Sequence, residues 1–287
     1  MAKAKIGVIG GSGLYRMDGL QDVETVELET PFGKPSAPYV LGQLEGKPVA
    51  FLARHGEGHR LLPSELNFRA NLFGFKLLGV EHVISASAVG SLREDIHPLD
   101  VVVPDQFIDR TRGRVSTFFG NGIAAHVEFS RPFCKRLSNL VHEAGIDAGA
   151  RMHRGGTYVC IEGPQFSTLA ESELYRSWGG HIIGMTNLQE AKLAREAEMS
   201  YATLALVTDY DCWHVSHASV TVEQVIENLL KNAETARQII KRTIARLDLS
   251  EPSPHANALA SSIITQRDFI PEHIKRDLAP LIGKYIN

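Results

Sequence analysis

Short apolar runs, each closed by glycine or proline, alternate with polar loops in the first part of the chain. The clearest run is Lys5–Ile9, which leads directly into Gly10, Gly11 and Gly13. A continuous apolar run of this length that ends at glycine is typical of a buried strand. The same pattern predicts strands at Val23–Glu29, Tyr39–Leu44, Pro48–Ala53, His82–Ala88 and Val101–Val103.

Helical spacing of apolar residues separates some of these strands. A helix is predicted over Ser64–Leu78, with Gly79 as its stop. A second helix is predicted over Arg131–Glu143, with Gly145 as its stop. The apolar positions of the first helix are Leu66, Ala70, Phe73 and Leu77.

The second half of the chain repeats this alternation. A long helix is predicted from about Thr221 to Arg246, and Gln224 completes a capping box with Thr221 at its start. The other predicted elements are strands at Thr157–Ile161, His181–Gly184 and Tyr201–Val207, and helices at Thr168–Trp178 and Leu188–Ala197.

Strands that alternate with helices predict an α/β fold, and the strand-rich start favours a mixed central β-sheet flanked by helices. The sequence contains no linker, repeat or low-complexity segment, so we predict a single domain over residues 1–287. The tail from about Pro252 fits this pattern less well. Its Ser261–Ile264 segment and its last residues could dock on a neighbouring subunit.

The composition narrows the classes of function. The chain is 44% hydrophobic and 22% charged, with a formal net charge of -3, which favours a large core and neither a nucleic-acid nor a membrane surface. Its three cysteines, Cys134, Cys160 and Cys212, favour a reducing compartment, and we expect a cytoplasmic protein. The first apolar run is too short for a signal peptide, and no stretch approaches the ~20 apolar residues of a membrane helix.

Groups suited to an anion follow several predicted strands. In open α/β sheets, ligands bind beyond the carboxyl ends of the strands. Gly10–Gly13 offers backbone N–H groups and a hydroxyl, Arg54 and His55 offer a cation and a second donor, and Ser85–Gly90 lets an anion approach the backbone. Together with Met185-Thr186, these donors suit a phosphate dianion that is bound as a reactant without a metal.

A second group of residues suits a planar heterocycle. Asp209 and Asp211 follow the last predicted strand, and residues two apart in an extended chain point to the same side. The turn Ile161–Phe166 presents an aromatic ring. Taken singly, the two acids would more often be loop or capping residues, and Phe166 would more often belong to the core.

Two other interpretations of these segments are weaker. A dinucleotide-binding turn would need the third glycine of G-x-G-x-x-G, which Gly11–Arg16 lacks. A zinc site at His55, Glu57 and His59 lacks the H-E-x-x-H spacing, and the intervening glycines disfavour a helix there, so we expect no metal.

These segments together resemble the trimeric purine nucleoside phosphorylases, and within them the methylthioadenosine phosphorylase branch. The resemblance covers roughly Ile6 to Leu230, with six motifs in the family's order and spacing. The motifs are Gly10–Gly13, Ala53–Gly56, Ser87–Leu92, Ile161–Phe166, Gly184–Thr186 and Thr208–Trp213, and Asp105–Thr111 is a further close match.

The resemblance implies roles for individual residues. It implies a homotrimer or a dimer of trimers, because His126 resembles the position that reaches into a neighbour's site. It implies phosphate binding by Ser12, Arg54, His55, Ser87, Ala88 and Thr186. It implies nucleoside binding by Phe166, Ser167, Met185, Asp209, Tyr210 and Asp211, with an apolar wall for the methylthio group formed by Val222, Val225 and Ile226.

The choice of branch depends on Ser167 and Asp209, where the 6-oxopurine phosphorylases of this family carry Glu and Asn. An ionised carboxylate only accepts hydrogen bonds, so it suits a 6-amino group or a protonated N7. Against an O6 acceptor it would be left unpaired, at a cost of about 1–3 kcal/mol.

The resemblance therefore implies reversible phosphorolysis of 5'-methylthioadenosine to adenine and 5-methylthioribose 1-phosphate, a reaction of methionine and purine salvage. Inorganic phosphate is the co-substrate, and no cofactor is expected. Asp209 would protonate N7, with a pKa raised by burial and by Asp211. Alternatives are a 6-oxopurine nucleoside or methylthioinosine phosphorylase, a nicotinamide oxidoreductase and a non-catalytic nucleoside-binding protein. One departure from the family is Asn187-Leu188-Gln189, since a proline usually precedes Glu190.

Overall fold

The computed structural model describes residues 3–11, 14, 17–214 and 222–286. Its strands are β1 (Ile6–Gly10), β2 (Gln21–Val26), β3 (Tyr39–Leu44), β4 (Lys47–Ala53), β5 (His82–Ser91), β6 (Val101–Val103), β7 (Gln106–Arg110), β8 (Met152–Arg154), β9 (Thr157–Ile161), β10 (Ile182–Gly184) and β11 (Ser200–Asp209). Its helices are α1 (Phe68–Leu78), α2 (Lys135–Asp147), α3 (Leu169–Ser177), α4 (Asn187–Glu196), α5 (Val222–Arg246), α6 (Glu272–Asp277) and α7 (Ala279–Ile286).

The strands form one mixed sheet, as the sequence predicts. At its centre β4, β1, β5 and β11 run parallel to one another, and β2 and β3 extend the sheet in antiparallel order beyond β4. β5 pairs with β11 as far as Gly90, and Gly90 and Ser91 also pair with β10 in antiparallel order. The sheet therefore divides at Gly90, and the divided edge continues through β9 and β7.

Helices cover both faces of the central strands, which explains why β1, β5 and β11 consist almost entirely of buried residues. One face packs against α1, α4 and the C-terminal tail, and the other packs against α2 and α5. Apolar side chains fill both interfaces. No helix in the described part of the chain is long and apolar enough to cross a membrane.

The helix that contains Gly145 differs from the prediction. We predicted that Gly145 ends it, but α2 continues to Asp147, and Gly149, with φ of 77°, follows the end. Gly145 is a packing residue, because a Cβ there would lie 2.2 Å from Sδ of Met152. The predicted stop at Gly145 was therefore wrong, whereas Gly79 caps α1 in the left-handed conformation as predicted.

The C-terminal tail packs on its own chain. Ile263 forms a β-bridge with Ala125, and α7 lies against α1. The buried carboxylate of Glu198 accepts hydrogen bonds from the Leu259 amide and the Tyr285 hydroxyl. The tail also contributes apolar residues to the core, namely Leu259, Ile270, Ile274, Leu278, Leu281 and Ile282. A further contact with a neighbouring subunit stays a prediction.

Candidate active site

A cavity of about 550 Å³ lies where β1, β4, β5 and β11 end. The parallel strands deliver their loops to the same edge of the sheet, and the division of the sheet at Gly90 opens that edge. Nine of the residues predicted for the site line this cavity: Arg54, His55, Ser87, Ala88, Phe166, Met185, Thr186, Asp209 and Asp211.

Arg54 is buried at the end of β4, and most of its hydrogen-bonding capacity is used by protein groups. Its Nε lies 2.5 Å from Oε1 of Glu190, and its Nη2 donates to Glu190 Oε2 and to Ser85 Oγ. Its Nη1 donates to the Ala86 carbonyl at 2.9 Å. Burial opposes the charge of Arg54, but Glu190 more than compensates and raises its pKa. A guanidinium has five N–H groups, so one remains on Nη1 for a ligand.

His55 follows Arg54 and is uncharged at neutral pH. Its burial, together with the charge of Arg54, lowers its pKa to about 4. Its Nδ1 lies 2.8 Å from the Leu61 carbonyl, so Nδ1 carries the hydrogen. The His59 ring stacks on it with 4.2 Å between centroids. Nε2 of His55 is therefore a hydrogen-bond acceptor, suited to a P–OH group.

A buried polar network lies behind Arg54 at this end of the cavity. Asn187 is the first residue of α4, and its Nδ2 lies 2.9 Å from Ser85 Oγ, 2.9 Å from Thr203 Oγ1 and 3.0 Å from Tyr201 OH, so its two hydrogens are shared among these three oxygens. The Tyr201 hydroxyl in turn donates to Glu190. Sequence reasoning missed Asn187 and Glu190 as site residues, because α4 carries several other polar residues and nothing in its sequence sets these two apart.

The two acids of the site lie at the end of β11. The Asp211 amide donates to Asp209 Oδ1 at 2.8 Å, and Thr208 Oγ1 donates to Asp209 Oδ2 at 2.6 Å. Burial raises the pKa of Asp209, while these two hydrogen bonds oppose the rise. Burial also raises the pKa of Asp211, and the carboxylate of Asp209 adds to it. Of the two causes expected for the raised pKa of Asp209, burial acts in the expected direction, whereas Asp211 contributes an amide hydrogen bond that lowers the pKa.

Comparison with known proteins identifies this arrangement. The model of the phosphorylase superfamily matches residues 5–245. The chain is 60% identical to the S-methyl-5'-thioadenosine phosphorylase of Koribacter versatilis, over 99% of this chain and 97% of that protein. It is 59% identical to that of Thermosynechococcus vestitus, over 99% of both chains. The chain belongs to the S-methyl-5'-thioadenosine phosphorylases of this superfamily.

Solved structures agree with this membership of the phosphorylase family. The crystal structure of a methylthioadenosine phosphorylase from an antarctic soil metagenomic library superposes with a TM-score of 0.94 at 50% identity, covering 98% of this chain and 99% of that chain. The methylthioadenosine phosphorylase of Schistosoma mansoni, solved with adenine, superposes with a TM-score of 0.81 at 33% identity, covering 98% of each chain.

Two predicted residues of the phosphorylase site lie beside the cavity and not on its wall. The Tyr210 ring stacks on His214 at 4.5 Å and packs against Trp213. The Ser167 hydroxyl is buried beside Asp211, where it opposes the rise in the pKa of that carboxyl. The substrate roles of Tyr210 and Ser167 stay predictions.

Of the three residues predicted for the apolar wall, only Ile226 has a side chain that the structure describes. Ile226 on α5 is 51% exposed and does not line the cavity, whereas Leu230 and Ala233 on the same helix do. The side chains of Val222 and Val225 lie outside the described residues, as does Ser12. Thr221 lies outside them as well, and the predicted capping box with it. Leu61, Leu62 and Pro63, which sequence reasoning missed, also line the cavity.

His126, predicted to serve a neighbouring site, is exposed and away from the cavity. Its amide donates to the Ser262 carbonyl at 2.9 Å. In the described ranges, no group of three or more His, Cys, Asp and Glu residues is arranged to hold a metal ion.

Sequence reasoning also missed Arg114, whose side chain is 3% exposed. Its Nε donates to Glu162 Oε1 at 3.0 Å, and its Nη2 donates to the Glu162 carbonyl. Its Nη1 donates to the Met185 carbonyl and, at 3.3 Å, to Gln189 Oε1. Arg114 therefore joins the loop after β9 to the loop after β10, and both loops line the cavity.

Proposed function

We propose that the protein catalyses the reversible phosphorolysis of 5'-methylthioadenosine to adenine and 5-methylthioribose 1-phosphate. The observation that carries this proposal is that one cavity joins a phosphate-type end, at Arg54 and His55, to a pair of acids with raised pKa values, at Asp209 and Asp211. An anion site and proton-donating carboxyls around one cavity are what phosphorolysis of an adenine nucleoside requires.

Phosphate is held at the Arg54 end by hydrogen bonds more than by net charge. The Arg54 charge is matched by Glu190, and His55 is neutral. One N–H of Arg54, the acceptor Nε2 of His55 and the hydroxyls of Ser87 and Thr186 supply a mixed set of donors and acceptors. Ala88 leaves room for phosphate against the backbone of β5, and the predicted role of Ser12 completes this set.

The glycosidic bond breaks before the new bond to phosphate is complete. Adenine leaves as N7 takes a proton from Asp209, whose raised pKa keeps a protonated fraction available. Met185 packs on the ribose and Phe166 on the base, while Asp211 accepts from the 6-amino group. A phosphate oxygen then bonds to the anomeric carbon, helped by proximity and by its own negative charge.

Phosphate serves as co-substrate, and the reaction needs no other cofactor. We infer a homotrimer or a dimer of trimers, with His126 offered to a neighbouring subunit. The exposure of His126 supports this inference, as does Ile264, which is 66% exposed and bonded through its amide to the Ala124 carbonyl. Light scattering after size-exclusion chromatography tests it. We also place the protein in the cytoplasm, in keeping with its free cysteines.

The test of the function is adenine release from methylthioadenosine with and without phosphate, with methylthioinosine in parallel. We expect phosphate-dependent release of adenine that is much faster than release of hypoxanthine. Faster hypoxanthine release would overturn the assignment of Asp209 and make the protein a 6-oxopurine phosphorylase. Binding of methylthioadenosine without turnover would make it a nucleoside-binding protein.

A further inference from the structure

The segment that carries Arg114 connects parts of the site that are distant in sequence. Arg114 lies 48 residues from Glu162 and 71 from Met185 along the chain, yet it donates to the carbonyls of both. Arg114 itself does not line the cavity, whereas Met185 and the Pro164–Phe166 turn that follows Glu162 do. The side chain of Arg114 thus holds two cavity loops at a fixed separation.

The fork of the guanidinium suits this task. Nε and Nη2 face the side chain and the carbonyl of Glu162, and Nη1 faces the Met185 carbonyl. The guanidinium is planar and its donors point in fixed directions, so a rotation of the group alters all of its hydrogen bonds together. A lysine, with its single point charge, cannot satisfy these acceptors at once.

Gln189 orients this fork. Its side chain is 1% exposed, and both ends of its amide are bonded. Oε1 accepts from Arg114 Nη1 at 3.3 Å, and Nε2 donates to Thr111 Oγ1 at 2.9 Å.

We propose that Arg114 is a positioning residue for the nucleoside half of the site and that Gln189 sets its orientation. The phosphate half uses a separate set of contacts, because the neighbouring Glu190 bonds Arg54, Ser85 and Tyr201. Adjacent residues of α4 therefore serve the two halves of the cavity separately. This inference rests on the proposed function for its kinetic test.

The test compares Gln189→Met with Gln189→Glu and the wild type. Met has nearly the length of Gln but loses both hydrogen bonds, whereas Glu keeps an oxygen for Arg114. We expect Gln189→Met to raise the KM for methylthioadenosine about tenfold, equivalent to about 1.4 kcal/mol. The KM for phosphate should stay within about twofold, and Gln189→Glu should restore most of the loss. Arg114→Lys, a second variant, should show the same split between the two KM values.

The matched control is Arg112→Met, which removes an exposed side chain from the same segment and keeps the amide that donates to Glu162. It should change neither KM. Equal rises in both KM values, or no rise for Gln189→Met, would overturn the proposal. If the wild type releases no adenine, the proposed function fails instead. The positioning role is then judged by calorimetric binding of adenine, which Gln189→Met must weaken relative to Arg112→Met and the wild type.

Discussion

Arg54 and Glu190 form an ion pair with 2.5 Å between Nε and Oε1, and their side chains are only 3% and 2% exposed. Two charges removed from water in this way are tolerated because each is paired with the other and has further hydrogen bonds. Arg54 donates to the Ser85 hydroxyl and the Ala86 carbonyl, and Glu190 accepts from the hydroxyls of Ser85 and Tyr201. The pair ties the loop after β4 to α4. It therefore stabilises the fold and also sets the direction of the one Arg54 N–H that we propose binds phosphate.

Replacing Glu190 with Gln should destabilise the protein by about 3–5 kcal/mol, because it leaves the Arg54 charge buried without its counter-charge. The measurement is urea unfolding with linear extrapolation to water. Glu94→Gln, an exposed carboxylate, is the control and should stay within about 0.5 kcal/mol of the wild type. A loss below about 1 kcal/mol for Glu190→Gln would mean that water reaches the pair. The KM for phosphate should also rise.

The strand ends of the site were predictable because their signals are local. The glycines after β1, the small residues of β5 and the acids after β11 are visible in short stretches of sequence. The bounds of β3, β6 and β9 match the predictions, since their apolar runs are sharply closed. β7 was missed because all but two of its residues are exposed and polar, so neither periodicity appears in it.

The supporting residues of the site were not predictable, because their meaning comes from partners far along the chain. Glu190 lies 136 residues from Arg54, and nothing near Glu190 in sequence indicates that partner. Arg114 likewise sits among exposed residues, and only the folded chain brings Glu162 and Met185 to it. Sequence patterns thus identified residues that line the cavity, and tertiary structure identified the residues that hold them.

His82 should make the fold sensitive to acid. It is 1% exposed, its ring nitrogens have no hydrogen-bond partner among the described residues, and burial lowers its pKa to about 4. The folded state therefore binds fewer protons than the unfolded state between the unfolded pKa of about 6.5 and the folded one. Its contribution to stability is full above pH 6.5 and is lost as the pH falls.

The free energy of unfolding of the wild type should fall between pH 7 and pH 4.5. We expect this fall to be about 2–3 kcal/mol smaller in His82→Phe. Urea unfolding at both pH values gives this difference. His273→Phe, on an exposed helical turn, is the control, and its free energy of unfolding should fall by as much as that of the wild type between the two pH values. An unchanged slope in His82→Phe would show that His82 is hydrated or paired.

Glu196 should give the opposite pH dependence of stability to His82. Burial raises its pKa to about 7, despite hydrogen bonds from the Phe118 amide and the Thr117 hydroxyl. Because the pKa of Glu196 is higher in the folded state than in the unfolded state, Glu196 contributes fully to the free energy of unfolding below its unfolded pKa of about 4.5. This contribution is lost as the pH rises through 7. We expect Glu196→Gln, compared with the wild type by urea unfolding, to gain about 2–3 kcal/mol in relative stability between pH 5 and pH 8. A parallel pH dependence in the two proteins would contradict the raised pKa.

Asp209→Asn should separate the chemistry of the base from the binding of phosphate. The amide cannot protonate N7, so kcat/KM for methylthioadenosine should fall by about 100-fold or more. Its NH2 group can donate to O6, so methylthioinosine should lose less, and the preference between the two substrates should narrow or reverse. The KM for phosphate should change little, because Asp209 bonds only Thr208 and the Asp211 amide among the described residues.

The pH profile distinguishes a proton donor from a residue that only shapes the pocket. Because the pKa of Asp209 is raised, wild-type kcat/KM should fall as the pH rises through that pKa, and Asp209→Asn should lack this step. Asp105→Asn, an exposed acid bonded to the Gly156 amide away from the cavity, is the control and should keep both the rate and the step. Full methylthioadenosine turnover in Asp209→Asn would remove Asp209 from the mechanism and leave Asp211 as the candidate donor, because burial raises its pKa as well.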